Sequence, residues 1–440
     1  MVRILMEPFR KALIVESPHI SLDEHLREIG IAPVREDHIP DEQALIDAMH
    51  RSGAQILFKR SRVPVTRAVI EACPELHAIQ LCCIGDDSID KVAAAEHGIL
   101  VFNDPISNGR SVVELAVAHL IALSRRLYET NQEIHAHQWS KTDRGRYEIH
   151  GKRVGIVGLG NIGRQVARAL QALGMEVNFF DNRPVAQEIG QEMDWVMMPS
   201  LEELFAQSDM VTVHVSAYDY LGNDNQNVLD PYLSLLASKC DRTSPKIFLN
   251  LARGNLHSSE ALLSAVSSGA IRYAAVDVFP EEPTPGAGVW RNPYADEPRV
   301  ICTPHIGGAT MEAQPRIARH VSQTVEEFSL YGSLRDCVYA PRFSLSIADQ
   351  VRGKTILAVV HSTARGTKKA IDDAIYEAEV DNLGSSHRDF DIGVAYDISY
   401  LNRPLRREEL MNLVERAEQL SKTHNAIRAV RQIEVPKKGW

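Results

Sequence analysis

Residues 154–163 read VGIVGLGNIG, a short apolar, β-branched run that leads into Gly158-x-Gly160-x-x-Gly163. Such a pattern carries weight only with a strand before it, a helix after it and an acid about twenty residues on. Residues 152–157 read as a buried strand. From Asn161 the apolar residues Ile162, Val166, Leu170 and Leu173 recur at helical spacing and stop at Gly174. A second strand, Glu176–Phe180, then delivers Asp181. In this context Gly158 makes the tight turn, Gly160 lets backbone approach a pyrophosphate, and Gly163 permits close helix–strand packing. The helix N-terminus presents N–H groups and a positive dipole end to that pyrophosphate. Asp181 is placed to hydrogen-bond both ribose hydroxyls and to repel a 2′-phosphate, so the expected cofactor is NAD.

Around this unit, 440 residues predict two or three domains, because single cores stop growing near ~250–300 residues. Hydrophobic residues make up 44% and charged residues 24%, which places the chain among ordinary globular proteins. No stretch approaches the ~18 uncharged apolar residues of a membrane span. The opening MVRILMEPFRKALIV lacks the layout of a secretory signal, since Glu7, Arg10 and Lys11 interrupt it. A formal charge of −10 argues against nucleic acid or anionic membrane as a partner. The six cysteines show neither a disulfide framework nor CxxC spacing, and Cys82 and Cys83 read as small core residues. The expectation is a cytoplasmic protein without a metal.

Residues 12–103 alternate short strands (ALIV, AQILFKR, AIQLCCI, ILVFN) with helical stretches (SLDEHLREIG, DEQALIDAMH, DKVAAAEHG), which predicts a parallel sheet covered on both faces. One long helix is expected over 111–137. The nucleotide-binding unit continues through DMVTVHV, KIFLNLA and RYAAVDVF, interrupted by an Asn/Asp-rich loop after His214 and a helix. Another helix is expected over 310–330, and a linker over 339–352. The last segment, 353–440, reads as βαββαβ, with Phe390, Ile392, Val394, Tyr396 and Ile398 facing one way.

NLARG (250–254), DVFPEEP (277–283) and TPHIGG (303–308) each start near the end of a predicted strand, where ligand crevices of doubly wound sheets lie. They offer Arg253, Glu282 and His305. Hydride transfer at a 2-hydroxy or 2-keto acid needs a fixed cation for the carboxylate and carbonyl, which suits the planar fork of arginine. It needs a group titrating near neutrality to move the hydroxyl proton, which suits histidine. A carboxylate beside that histidine orients it and raises its pKa.

On these motifs, and on CCIGDDSIDKVAAAEHGILVFNDPISNGRSVVELAVAHLIAL (82–123), nearly the whole chain resembles the D-isomer-specific 2-hydroxyacid dehydrogenases, most closely the branch acting on phosphoglycerate. The resemblance implies a Rossmann-type doubly wound domain (108–307) inserted into a flavodoxin-like substrate domain (1–107 and 308–340), followed by an α+β regulatory or assembly domain of the ACT type (353–440). It implies Arg253, Glu282 and His305 as the catalytic triad. Gly158, Gly160, Asn161, Ile162, Gly163, Asp181, Leu251, Ala252, Arg253 and Asp277 would contact NAD, with Asp277 on the nicotinamide carboxamide. KRSRVPVT (59–66) resembles a substrate loop, giving Arg60 and Ser61; Gly85 joins them, and QWSK gives Lys141 as a phosphate contact. The implied reaction is NAD-dependent oxidation of 3-phospho-D-glycerate to 3-phosphohydroxypyruvate, the entry to serine synthesis. A glyoxylate or hydroxypyruvate reductase is the alternative within the family, and a NAD-sensing corepressor the alternative outside catalysis. A homo-oligomer, dimer or tetramer, is expected, with an amino-acid effector at the C-terminal domain. In VHSTARG (360–366) Thr363 replaces the Asn, and Arg365 the Pro, of serine-responsive members, so weak or absent serine inhibition is expected.

Overall fold

The computed structural model describes residues 2–218, 223–240, 243–283, 289–339, 353–390 and 392–435. Most of the linker expected over 339–352 lies outside them. The described residues of 1–105 and 314–440 form one compact unit, and those of 106–283 and 287–313 a second.

The first unit begins with β1 (Arg3–Leu5), β2 (Lys11–Ile14), β3 (Ala32–Arg35), β4 (Ile56–Lys59), β5 (Ala78–Leu81) and β6 (Leu100–Phe102). The last five form a parallel sheet in the order β3-β2-β4-β5-β6, the flavodoxin-like arrangement. β4, β5 and β6 are buried at every position, as an all-parallel sheet covered on both faces requires. Local signals end the helices between them. Asp41 accepts the Ala44 N–H at 2.8 Å to start helix Glu42–Ser52, and Gly53 at φ +60° stops it.

The second unit holds β7 (Arg153–Val157), β8 (Glu176–Phe180), β9 (Val196–Met197), β10 (Met210–Val213), β11 (Ile247–Asn250), β12 (Tyr273–Val276) and β13 (Val300–Cys302). They form one parallel sheet, β13-β12-β11-β10-β7-β8-β9, whose order reverses between β7 and β10 as in dinucleotide-binding folds. The single helix expected over 111–137 is two, Gly109–Ser124 and Leu127–His135. Arg126 between them is left-handed (φ +56°), and its Nε holds Glu129 in the first turn of the second helix at 2.5 Å. Apolar periodicity cannot reveal such a break, because the pattern continues across it.

The C-terminal segment folds as β14 (Thr355–Ser362), helix Thr367–Glu377, β15 (Asn382–Phe390), β16 (Val394–Leu401), helix Arg407–Ser421 and β17 (Ile427–Glu434). This is the βαββαβ order, but the sheet gains a fifth strand: β1 pairs in parallel with β17, giving β1-β17-β14-β16-β15. β14 is buried along its whole length because both faces are covered. Leu357 and Val359 pack with the two C-terminal helices. Ile356, Ala358 and Val360 join a core that includes Phe9, Phe102, Phe328 and Tyr339.

Two buried arginines pin this arrangement. Arg3 donates to the carbonyls of Leu76, His97, Ile70 and Cys73. Arg431, from β17, stacks over the rings of Phe9 (4.2 Å) and Phe328 (4.4 Å) and donates to the carbonyls of Phe328 and Ser329. Those carbonyls end helix Ala313–Tyr331, the negative end of its dipole. Burial lowers the Arg431 pKa to about 10, and at neutral pH the group still carries its charge.

Candidate active site

Three loops leave the carboxyl ends of β11, β12 and β13, which are neighbours in one sheet. After β11, the fully buried Asn250 shapes the first loop. Its Nδ2 donates to the Arg253 carbonyl at 2.8 Å and its Oδ1 accepts the Ala252 N–H at 3.1 Å. At Gly254 a Cβ would stand 2.0 Å from the carbonyl carbon and oxygen of Phe279, so only glycine lets this loop lie against the one carrying Glu282. Arg253 turns its Nη1 back to the Ala252 carbonyl at 2.8 Å. Its positive charge is felt at both Glu282 and His305.

His305 Nδ1 lies 2.8 Å from Glu282 Oε2 and 3.0 Å from Oε1. An ionised carboxylate only accepts, so the Nδ1 proton sits between them and Nε2 is left for chemistry. The hydrogen bond to Glu282 raises the His305 pKa above 6.5, against the opposing effect of burial. For Glu282, burial works upward but is outweighed by the bond and charge of His305, so its pKa falls.

His305 adopts a left-handed backbone, φ +55°, a conformation costing ~1–3 kcal/mol in a non-glycine residue and kept only where neighbours enforce it. The enforcing group is Asp277, buried at 1% exposure. It accepts the Thr303 hydroxyl at 2.6 Å, the Ile306 N–H at 2.8 Å and the Gly307 N–H at 2.7 Å. Three of its roughly four acceptor positions are thus used on the histidine turn, leaving about one for the carboxamide contact that the resemblance implies. Sequence reasoning singled out Asp277 but not this bracing of His305, nor the part played by Thr303 and Asn250.

The glycine-rich turn combines two closed positions with one open one. Gly158 has φ +87°, and a Cβ there would meet Val215 Cγ1 at 2.4 Å; at Gly163 it would meet the Gly158 oxygen at 2.0 Å. At Gly160 the nearest atom to a Cβ would be Arg183 Nη2 at 3.8 Å, so that side of the turn is open where the other two are closed. Among the described residues no side chain caps helix Asn161–Ala172, whose first turn carries Asn161 and Ile162. These features fit a pyrophosphate at Gly160. Asp181 is not as free as the sequence suggests. Its Oδ2 accepts the Leu159 N–H at 2.8 Å and Arg183 Nη2 at 2.6 Å, and its Oδ1 accepts the Arg183 N–H and Nε, both at 2.9 Å. Burial works upward on Asp181, but Arg183 and the two backbone donors hold its pKa below the usual carboxylate value. Leu251 and Ala252 follow directly from β11, which β10 separates from β7 in the sheet.

Lys141 lies on an exposed stretch of the second unit. Arg60, Ser61 and Gly85 belong to the first. There the loop after β4 is clamped by two buried groups that sequence reasoning missed. Lys59 Nζ donates to the Arg60 carbonyl and to Ser88 Oγ, each at 2.7 Å. Glu16 accepts the Arg62 N–H at 3.1 Å and the Val63 N–H at 2.5 Å. Nothing in periodicity or motif marks a buried lysine before the strand pairing that buries it is known.

The family described as "D-isomer specific 2-hydroxyacid dehydrogenase, NAD binding domain" matches residues 117–307. The chain is 34% identical over 339 residues to D-3-phosphoglycerate dehydrogenase of Haemophilus influenzae, covering 77% of this chain and 78% of that protein. It is 32% identical over 379 residues to the enzyme of the same name in Escherichia coli, covering 84% and 86%. Among solved structures, a glyoxylate reductase from Paecilomyes thermophila matches at 25% identity with TM-score 0.63, covering 75% of this chain and 98% of that one. The fold and these matches define an NAD-dependent oxidoreductase. The chain belongs to the D-isomer-specific 2-hydroxyacid dehydrogenase family.

Proposed function

We propose that this chain oxidises 3-phospho-D-glycerate to 3-phosphohydroxypyruvate with NAD, the first step of the phosphorylated route to L-serine. The observation that carries the chemistry is the His305–Glu282 pair at 2.8 Å, under the charge of Arg253. The similarity to enzymes named D-3-phosphoglycerate dehydrogenase supports the substrate. Bound NAD supplies the hydride acceptor. Arg253 grips the substrate carboxylate and polarises the C2 oxygen. His305 Nε2 takes the hydroxyl proton as the C2 hydride departs, and the imidazolium so formed is stabilised by Glu282. In the reverse direction the same histidine returns the proton. Asp277 holds His305 in place, and Asp181 receives the adenosine ribose with Arg183 at its side.

Lys141 and Arg60 read the substrate phosphate in this proposal, with Ser61, after β4, and Gly85, after β5, as further substrate contacts. Losing a charge-assisted hydrogen bond costs ~1.5–3 kcal/mol, or about one to two decades in kcat/KM. The deciding assay compares kcat/KM for phosphoglycerate, glycerate, glyoxylate and hydroxypyruvate in the wild type, Lys141→Ala and Arg60→Ala. Losses confined to phosphorylated substrates support the reading. Equal losses on all four, or a wild type that prefers glyoxylate, reject it.

The same reading makes the protein a homo-oligomer with an amino-acid effector at the βαββαβ unit. The outer edge of β15, nine residues long, has no strand partner among the described residues, which supports pairing with a second copy. Activity measured against serine concentration, beside the mass of the full chain in solution, checks both points. Strong serine inhibition contradicts the expected weak response, and a monomer contradicts the assembly.

A further inference from the structure

Strand pairing in the C-terminal sheet assembles two histidines and an aspartate from three strands. His387 on β15 stands directly opposite Asp397 on β16. Asp397 in turn faces Val359 on β14, and His361 lies two residues further along β14, on the same face. Asp397 is buried at 1% exposure and His361 at 1%. Asp397 Oδ2 is 2.7 Å from His361 Nε2 and 3.2 Å from His387 Nδ1. The two rings stack with centroids 5.7 Å apart.

Each ring turns one nitrogen outward to an acceptor and one inward to Asp397. His361 Nδ1 lies 2.8 Å from the Ser362 carbonyl, which only accepts, so Nδ1 carries the proton. In a neutral imidazole Nε2 is then a lone pair, and it points at a carboxylate oxygen. His387 repeats the pattern: its Nε2 faces Asp389 Oδ1 at 3.0 Å and its Nδ1 faces the same oxygen of Asp397. Lys368 Nζ sits 3.4 Å from Asp397 Oδ1, on the carboxylate's other oxygen. A cation held by both inward nitrogens and Asp397 matches this geometry. Each histidine then donates its outer N–H to an acceptor, Ser362 O or Asp389 Oδ1, the outer-shell arrangement that orients metal-bound imidazoles.

We propose that His361 Nε2, His387 Nδ1 and the Asp397 carboxylate bind one divalent transition-metal ion of the zinc, cobalt or nickel class. Two imidazoles and one carboxylate suit these borderline ions, whereas calcium and magnesium take oxygen ligands. The three ligand atoms lie within 4.8 Å of one another. Bonds of about 2.0–2.2 Å at a tetrahedral ion separate ligands by about 3.3–3.5 Å, so the 2.7 Å His361–Asp397 contact opens by about 0.6–0.8 Å on binding. Lys368 has its own partner in Asp372 at 2.7 Å, so the ion displaces only its longer contact with Asp397. The His387 side chain is 37% exposed, which gives the ion a route from solvent and leaves a fourth position for water. The bound ion ties the edge strand β15 to β14 and β16, where β14 runs into the VHSTARG loop.

The test uses the full chain, freed of metal with a chelator and titrated with Co2+, whose visible absorption reports its ligands. The expected result is one Co2+ per chain, displaced by Zn2+, with an N/O-ligated spectrum. His387→Ala, at an exposed position, is expected to abolish that spectrum while its metal-free melting temperature stays at the wild-type value. Asp389→Ala is expected to weaken binding ~10–100-fold, and Lys368→Met to tighten it by removing the competing cation. His50→Ala, in the other cluster of candidate ligands (His50, Cys73, Glu75), is expected to change nothing. No saturable binding to the wild type, equal binding to His387→Ala, or loss in His50→Ala instead would overturn the assignment.

Discussion

Arg253, Glu282 and His305 are placed by short-range braces at one end of one sheet: Asn250 holds the arginine loop from within, and Asp277, just after β12, holds the histidine turn after β13 about thirty residues away. The C-terminal sheet is held the opposite way. Arg3 reaches carbonyls 67 to 94 residues away, Arg431 reaches two more than a hundred residues back, and β1 and β17 join the two ends of the described chain. The contrast teaches which damage stays local. A substitution in the catalytic loops removes one chemical role and leaves the sheet beneath intact. The C-terminal segment, by contrast, shares a core with the flavodoxin-like sheet, and its removal strips one side of that core.

The largest effect is therefore expected from deleting residues 340–440. Phe9, Phe328 and Tyr339 lose the strand face that covers them, and β1 loses its partner. The shortened chain is expected to lose cooperative unfolding and to aggregate, as circular dichroism melts and light scattering would record. A shortened chain that melts cooperatively as a smaller oligomer would make the C-terminal segment an independent module and break the contrast.

Next in size, His305→Ala is expected to lower turnover ~10²–10⁴-fold with NADH binding nearly intact by fluorescence titration. A loss below tenfold would remove His305 as the proton carrier.

Asp181→Ala comes third, and the structure sharpens what it tests. Removing the carboxylate frees Arg183 from the bonds it now makes to Asp181, and a free guanidinium beside the ribose favours a 2′-phosphate. The ratio of kcat/KM for NAD over NADP is expected to fall by about one to two decades, the worth of a charge-assisted hydrogen bond. An unchanged ratio would separate Asp181 from cofactor choice, and restoration of the ratio by a second change, Arg183→Ala, would show that the arginine gains the phosphate.

The smallest effect concerns pH. The bond to Glu282 raises the His305 pKa, and oxidation needs the neutral imidazole, so kcat/KM for oxidation should fall as pH drops through a value above 6.5. Glu282→Gln removes the charge that favours the imidazolium, so this limb is expected to move to lower pH. A profile that stays in place, or moves upward, would deny Glu282 that influence.

Much of the fold is legible because its signals are local. The strand–glycine–helix unit from β7 to β8, the helix Thr367–Glu377 and the βαββαβ order all follow from short-range periodicity, turn residues and buried runs. The three site motifs are legible for the same reason, since each sits where a buried strand gives way to polar loop. Other features escape because their cause lies elsewhere in the chain. β1 is three residues whose one strand partner among the described residues lies more than 420 residues away, and β3 is a short edge strand containing Pro33.

Sequence by itself determined the class of fold, the cofactor unit and the residue types available for chemistry, because glycine geometry, hydrophobic period and side-chain acidity are properties of short segments. Tertiary structure alone decided that Asp277 braces His305, that Arg183 occupies Asp181, that Lys59 and Glu16 clamp the loop at Arg60, and that His361, His387 and Asp397 converge. Each of those depends on which strands become neighbours and which groups are then shut away from water. Burial forces every polar group to find a partner, and which partner is within reach is settled only when distant strands pair.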